Sequence, residues 1–190
     1  MVLATANPGK LREFQRLLGE RVELVGLGDV ELHEPGTTYE ENARAKAEQA
    51  RDATGLPALA DDSGIEVPAL QGWPGPHSAR WMGPEASDRD RLLGLLARVG
   101  AETPQDRRAR YVAVVALAAP GAGTVAAAGT CSGVLTEAPR GDRGFGYDPA
   151  FLSDDLGVTF GEAGDEAKDG VSHRARALRA LLDTGALDRL

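Results

Sequence analysis

Cysteine is nearly absent. Cys131 is the only thiol in 190 residues, so an internal disulfide and a cysteine-rich zinc site are both excluded. It lies inside the apolar run Val125–Leu135 and reads as a small buried hydrophobe rather than a reactive group. Histidine is scarce as well, and His33 and His77 stand without metal-ligand spacing. The apolar runs are too short to span a bilayer. The opening residues MVLATANPGK lack the basic-then-apolar pattern of a secretory leader, so the expectation is a cytoplasmic protein with no membrane partner. A basic excess is missing too: 21 Lys and Arg against 29 Asp and Glu leave a net charge of −8. Phosphate backbones need a positive surface, so nucleic acid is not expected as a partner. A nucleotide is a different matter, because a few cations and a metal in one place suffice for it.

What is present suits a single domain over 1–190. Hydrophobic residues make up 42% and charged ones 26%, with no repeat or low-complexity tract. Val2-Leu3-Ala4 reads as a short strand, and a helix is predicted over Lys10–Leu18 from Leu11, Phe14, Leu17 and Leu18 on one face. Val22–Val25 is a strand candidate and Leu27–Thr37 a loop. A second helix should start at Thr37 or Thr38, where Thr38 and Glu41 form a capping box, and run to about Asp52 with Ala43, Lys46, Ala47 and Ala50 on a shared face. A strand over Leu56–Ala60 is expected to end at Asp61-Asp62-Ser63-Gly64, with extended chain resuming at Ile65–Val67. Ser87 with Asp90 predicts a helix to Val99. Arg108–Ala119 and Thr124–Leu135, joined by Pro120-Gly121-Ala122-Gly123, form a hairpin signal. A glycine-rich loop over Arg140–Asp148 and a closing helix over Ser172–Leu182 complete a mixed α/β pattern around one sheet.

Four groups could carry chemistry. The loop Thr5-Ala6-Asn7-Pro8-Gly9-Lys10 precedes a helix, where free N–H groups and the dipole favour phosphate; Asn7 would equally serve as a plain N-cap with Lys10 in solvent. It is not a P-loop, since the Gly-x-x-x-x-Gly-Lys spacing is missing. Asp61-Asp62 behind an apolar strand offers oxygen ligands for Mg²⁺ or a base for water, or else an Asx turn. A second ligand would come from Glu34, with Glu41 as its rival. Phe145, between Gly144 and Gly146, presents an aromatic face on which a base could stack, or plugs a loop onto the core. Lys168 with Ser172-His173-Arg174 gathers cations able to donate to a 6-oxo group or phosphate; the alternative is a helix capped by Ser172 with solvated cations.

In this order the blocks Leu3-Ala4-Thr5-Ala6-Asn7-Pro8-Gly9-Lys10, Tyr39-Glu40-Glu41-Asn42-Ala43, Ala60-Asp61-Asp62-Ser63-Gly64, Pro74-Gly75 with Ser78-Ala79-Arg80, Gly144-Phe145-Gly146-Tyr147-Asp148-Pro149, and Lys168 to Ser172-His173-Arg174 resemble the inosine/xanthosine triphosphate pyrophosphatase family. The resemblance spans residues 2 to about 182. It implies an elongated central mixed sheet flanked by helices, two lobes with a nucleotide cleft between them, and a homodimer. The activity implied is Mg²⁺-dependent hydrolysis of ITP, dITP or XTP to the monophosphate and pyrophosphate. Carried over residue by residue, Thr5 to Lys10 hold the triphosphate, Asp62 is the metal-binding catalytic acid and Glu34 its second ligand. Ser63 contacts substrate, Phe145 stacks on the base with Gly146 and Tyr147 beside it, Asp148 sits at its edge, and Lys168, His173 and Arg174 complete the purine pocket. Position 6 departs from the commoner glycine, and Ala167 separates Asp165-Glu166 from Lys168. Two other readings stay open: a pyrophosphatase of the same fold for pyrimidine or other modified nucleotides, and a nucleotide sensor without turnover.

Overall fold

In the computed structural model, residues 1–19, 22–28 and 30–189 are described. Asp29, within the loop expected over Leu27–Thr37, and Glu20, Arg21 and Leu190, within the domain expected over 1–190, lie outside them. The order of elements is β1 (Val2–Leu3), α1 (Pro8–Leu18), β2 (Val25–Gly26), α2 (Tyr39–Thr54), β3 (Ala58–Glu66), α3 (Asp88–Glu102), β4 (Arg108–Ala118), β5 (Val125–Leu135), β6 (Phe151–Ser153), α4 (Asp165–Val171) and α5 (His173–Asp183). A six-stranded sheet has the order β2-β1-β3-β4-β5-β6. β1 pairs in parallel with β2 and β3, while β5 and β6 are antiparallel, so the sheet is mixed as expected. Among the described residues no helix is long and apolar enough to cross a membrane.

The chain divides into two compact units: Met1–Asp62, Ala113–Gly129 and His173–Leu190 form the first, and Ser63–Val112 with Thr130–Ser172 the second. The first has its own core of Leu3, Phe14, Leu18, Leu59, Val115, Leu178 and Leu181. The second is built on Ile65, Leu95, Tyr111, Leu135, Phe151 and Phe160, with Cys131 buried among them as expected.

Local chemistry sets the helix ends. Asn7 caps α1 with Pro8 at the first position, where a missing N–H costs nothing. Thr38 and Glu41 close a full capping box on α2, which stops at left-handed Gly55; its face of Ala43, Lys46, Ala47 and Ala50 is buried. Ser87 and Asp90 do the same for α3.

Two expectations are corrected. β3 does not stop at Asp61: it runs unbroken through Asp61-Asp62-Ser63-Gly64 to Glu66. The acids stay inside the strand because cations from neighbouring helices neutralise them there. β2 covers only Val25–Gly26, since its partner β1 offers just two residues for pairing. The closing helix stands as expected at His173–Asp183, and Ser172, in extended conformation (φ −63°, ψ 156°), parts it from α4, a short helix that was not expected. Lys168 therefore sits in the short helix α4, whose first turn carries Asp165 and Glu166 where the dipole favours acids.

Gly129 of β5 marks the tightest packing in the first unit: a Cβ there would collide with the Ala177 amide nitrogen and the His173 carbonyl of α5. Its φ is not left-handed, so the constraint is space alone. Gly129→Ala is expected to cost about 1–3 kcal/mol and several degrees of Tm in thermal unfolding. Gly123→Ala, with nothing within 4 Å of its Cβ, should stay within about 0.5 kcal/mol of wild type. Equal Tm values for the two variants would contradict this packing.

Candidate active site

Successive side chains of a strand point to opposite faces, and β3 uses this to separate its two acids. Asp61 meets α1 and α5: Lys10 Nζ lies 3.0 Å from Oδ1, and Arg174 Nε donates to Oδ2 at 3.1 Å. Arg174 is balanced on its other side by Glu13, whose Oε2 accepts from Nη1 at 2.9 Å. Asp62 meets α2 instead. Lys46 Nζ donates to its Oδ1 at 3.1 Å and Asn42 Nδ2 to its Oδ2 at 3.2 Å. The same Lys46 nitrogen donates to Glu34 Oε1 at 2.7 Å.

The two neighbouring carboxyls are pushed apart in pKa. Burial would raise Asp61, but Lys10, Arg174 and Lys46 outweigh it and hold the group well below the ordinary carboxylate range. Asp62 is shifted upward by burial and by Glu34, with Lys46 and Lys10 opposing. Lys46 stays charged: burial pulls it down, and Asp62, Asp61 and Glu34 more than compensate. The two adjacent acids are thus shifted in opposite directions, Asp61 downward by its cations and Asp62 upward by burial.

Glu34 lies in an irregular stretch, yet its placement is firm. Gln49 of α2 accepts from the His33 amide and donates to the His33 carbonyl, both at 2.9 Å, and Asn42 Oδ1 accepts from the Gly36 amide at 2.8 Å. Glu41 is fully engaged as the capping acid of α2, taking the Thr37 and Thr38 amides. Of the two candidates for a second ligand, only Glu34 points where Asp62 points. Their oxygens converge on one cation-sized position, now taken by the Lys46 ammonium. Two carboxylates are a hard-oxygen donor set that fits a divalent ion whose other ligands are water and phosphate. No group of three or more His, Cys, Asp or Glu able to hold a metal occurs among the described residues.

The Thr5–Lys10 loop is built as an N-cap. Asn7 Oδ1 accepts from the Gly9 and Lys10 amides at 2.8 and 3.2 Å, and Thr5 Oγ1 accepts from the Asn7 amide at 3.1 Å. Those N–H groups are thus occupied, which corrects the expectation of free amides. Ala6 and Pro8 are exposed and Thr5, Asn7, Gly9 and Lys10 half-buried, leaving the Lys10 ammonium as the main cationic contribution of this loop.

The second unit assembles the aromatic group around Asp148, which is buried. Tyr111 Oη donates to Oδ1 at 3.1 Å; Lys168 Nζ at 2.7 Å and the Phe145 amide at 2.9 Å both donate to Oδ2. Gly144 has φ +73°, and a Cβ there would run into the Asp148 carboxylate. Phe145 is half-buried, with Lys168 Nζ 5.1 Å from its ring centroid. Gly146 donates its amide to Asp88 at 3.2 Å. The Tyr147 hydroxyl donates to the Ser78 carbonyl at 2.7 Å and accepts from Trp81 Nε1 at 2.8 Å; burial pushes its pKa up to about 12. Ser63 follows Asp62 on β3, half-buried.

The structure therefore brings Phe145, Gly146, Tyr147, Asp148 and Lys168 together in one unit, and Lys10, Glu34 and Asp62 together in the other. His173 and Arg174 fall with the latter, both buried, and the cations near the final helix are not solvated. Lys46, Asn42 and Glu13 were missed as site residues. The signal for Lys46 was present: it is the one charge on the alanine face of α2.

A model of the Ham1 family matches residues 1–184, and the chain belongs to that family. A dITP/XTP pyrophosphatase of Symbiobacterium thermophilum is 53% identical over 187 residues, covering 96% of this chain and 93% of the relative. One of Thermus thermophilus is 50% identical, covering 96% and 90%. Among solved structures, the Staphylococcus aureus Ham1 protein superposes with a TM-score of 0.85 at 36% identity, covering 100% of this chain and 98% of that one. A nucleoside-triphosphatase / dITP/XTP pyrophosphatase of Mycobacterium abscessus gives 0.73 at 42%, covering 95% and 97%.

The Arg174 network makes a stability prediction. Arg174→Met leaves Glu13 and Asp61 buried and short of a cation, and is expected to cost about 3–5 kcal/mol in urea unfolding. Arg108→Met, which breaks an exposed pair with Asp154, should cost under about 1 kcal/mol. Comparable losses would show that the buried network carries no special weight.

Proposed function

We propose that this Ham1-family chain is a hydrolase that cleaves deaminated purine nucleoside triphosphates, such as dITP and XTP, to the monophosphate and pyrophosphate. The observation that carries the reading is the convergence of Glu34 and Asp62 on one cation position, beside an Asp61 paired with Lys10 and Arg174. The activity of the relatives supports it.

Glu34 and Asp62 would hold a divalent ion, Mg²⁺ in this reading since oxygen donors suit a hard cation, and when bound it would supply positive charge to the triphosphate. Asp62 orients a water and accepts its proton as the water oxygen bonds to the α-phosphorus. The bond from that phosphorus to the bridging oxygen breaks, and pyrophosphate leaves with the electron pair. Lys10, fixed by Asp61, and Lys46 place ammonium charge against the oxygens that gain negative charge. Thr5 and Asn7 line the phosphate end, with Ala6, Pro8 and Gly9 shaping it, and Ser63 adds a hydroxyl. At the base end Phe145 stacks on the purine, with Gly146 and Tyr147 shaping the platform. Lys168, held by Asp148, donates to the 6-oxo group, and His173 and Arg174 are assigned to purine recognition on the resemblance. Adenine presents an amino donor at that position, and a mismatch of two donors costs on the order of 1–3 kcal/mol. A homodimer working in the cytoplasm belongs to the same reading.

Asp62→Asn should keep its fold and lose about 10²–10⁴-fold in kcat on dITP. The product is read as dIMP plus pyrophosphate across a panel of dITP, XTP, dGTP, dATP and dUTP. Chelation with EDTA should abolish turnover and added Mg²⁺ restore it. Near-normal turnover by Asp62→Asn, or orthophosphate as the product, would refute the assignment; preference for dUTP would move the substrate to the pyrimidines.

A further inference from the structure

Behind the base end of the second unit stands a column of aromatic groups to which the function assigned above gives no part. Trp81 lies half-buried against α3, in the space left by Gly94, where a Cβ would come within 2.9 Å of the indole Cη2. Trp73 packs its ring at 70° to Trp81 with centroids 4.7 Å apart, and the Arg98 guanidinium lies 4.1 Å from the Trp73 centroid. The column ends on the loop that carries Phe145. Trp81 Nε1 donates to the Tyr147 hydroxyl at 2.8 Å, and that hydroxyl donates to the Ser78 carbonyl at 2.7 Å. Tyr147 is two residues from Phe145 and adjacent to Asp148.

An indole N–H can only donate, and a tyrosine hydroxyl can donate and accept. With Trp81 donating in, the hydroxyl proton has one remaining direction, toward Ser78. The chain of bonds is therefore directional, and it fixes the tyrosine at its hydroxyl tip. We infer that Trp81 is a positioning residue for base recognition: acting through Tyr147, it anchors the Gly144–Asp148 loop and so sets where Phe145 and Asp148 stand. The chain's two tryptophans both belong to this column, so the native fluorescence of the protein reports occupancy of the base end rather than the phosphate end. The inference rests on the assignment of the base to Phe145.

The test uses the full chain with dITP. Wild type and Phe145→Ala are measured first; an unchanged KM in Phe145→Ala would remove the base assignment and this inference with it. Given a raised KM there, Trp81→Phe, which keeps a ring against Gly94 and removes only the N–H, should raise KM about five-fold, with the loss carried by KM rather than kcat because the base end does not touch the reacting phosphorus. Tyr147→Phe should act in the same direction, and Trp81→Phe should add no more than about two-fold on top of it. A KM within two-fold of wild type in Trp81→Phe, or effects that multiply in the double variant, would overturn the inference while leaving the base assignment intact. Should Trp81→Phe fail to fold, wild-type emission decides. IMP should change it saturably and inorganic pyrophosphate should not; emission indifferent to IMP, or moved equally by pyrophosphate, overturns the proposal.

Discussion

Asp61 and Asp62 are neighbours in a buried strand, and the first unit is organised by the need to neutralise both. A carboxylate taken out of water costs several kcal/mol even after the protein relaxes, and two side by side would repel each other as well. Strand geometry provides half of the answer by sending them to opposite faces. Helices supply the rest: α1 and α5 bring Lys10 and Arg174 to Asp61, and α2 brings Lys46 to Asp62. The distribution is unequal. Asp61 has two cations of its own, while Asp62 shares its single cation with Glu34. That inequality leaves Asp61 doubly paired and Asp62 the less neutralised of the two, in keeping with the roles proposed for them.

The second unit solves a single-acid version of the same problem. Asp148 is satisfied by one ammonium, one phenol and one backbone amide, each from a different part of the chain. Because the amide is that of Phe145, the acid that holds Lys168 also fixes the aromatic ring. Gly144 is required for this, since any side chain would occupy the space of the carboxylate. The ring, the cation and the acid are therefore one object, in which a change to any member moves the others.

Much of this was legible in the sequence where the physics is local. The capping boxes at Thr38 and Ser87, the apolar faces of α1 to α3, and the β4–β5 hairpin are written within a few residues. The ordered motifs pointed to the family because each is a short block with its own chemistry. What stayed hidden depends on partners far away in the chain. The continuity of β3 through two acids makes no sense until Arg174 arrives from 113 residues on, and Glu13 looks like a surface residue of α1 until the same arginine meets it from 161 residues away. Asn7 was ambiguous for another reason: an N-cap and a phosphate loop use the same residue types, and only the bonds made by its oxygen distinguish them. The boundary at Ser172 was legible as a helix start, while the short α4 before it was missed because seven residues carry little periodicity.

Glu34 shows how an irregular segment can be held as firmly as a helix. An extended loop has no internal hydrogen bonds to fix it, so its backbone must be paired from outside. Gln49 takes both polar groups of His33, and Asn42 takes the amide of Gly36, so Glu34 is bracketed on each side by side chains of α2. Asn42 also donates to Asp62, and Lys46 touches both acids. One helix face thus positions the loop acid and the strand acid together, at a spacing of four and three residues along α2. Two acids from a loop and a strand have no direct backbone link between them. Both are referred instead to one helix, and a site whose groups are held by their supporting shell before a ligand arrives is what the proposed divalent ion needs.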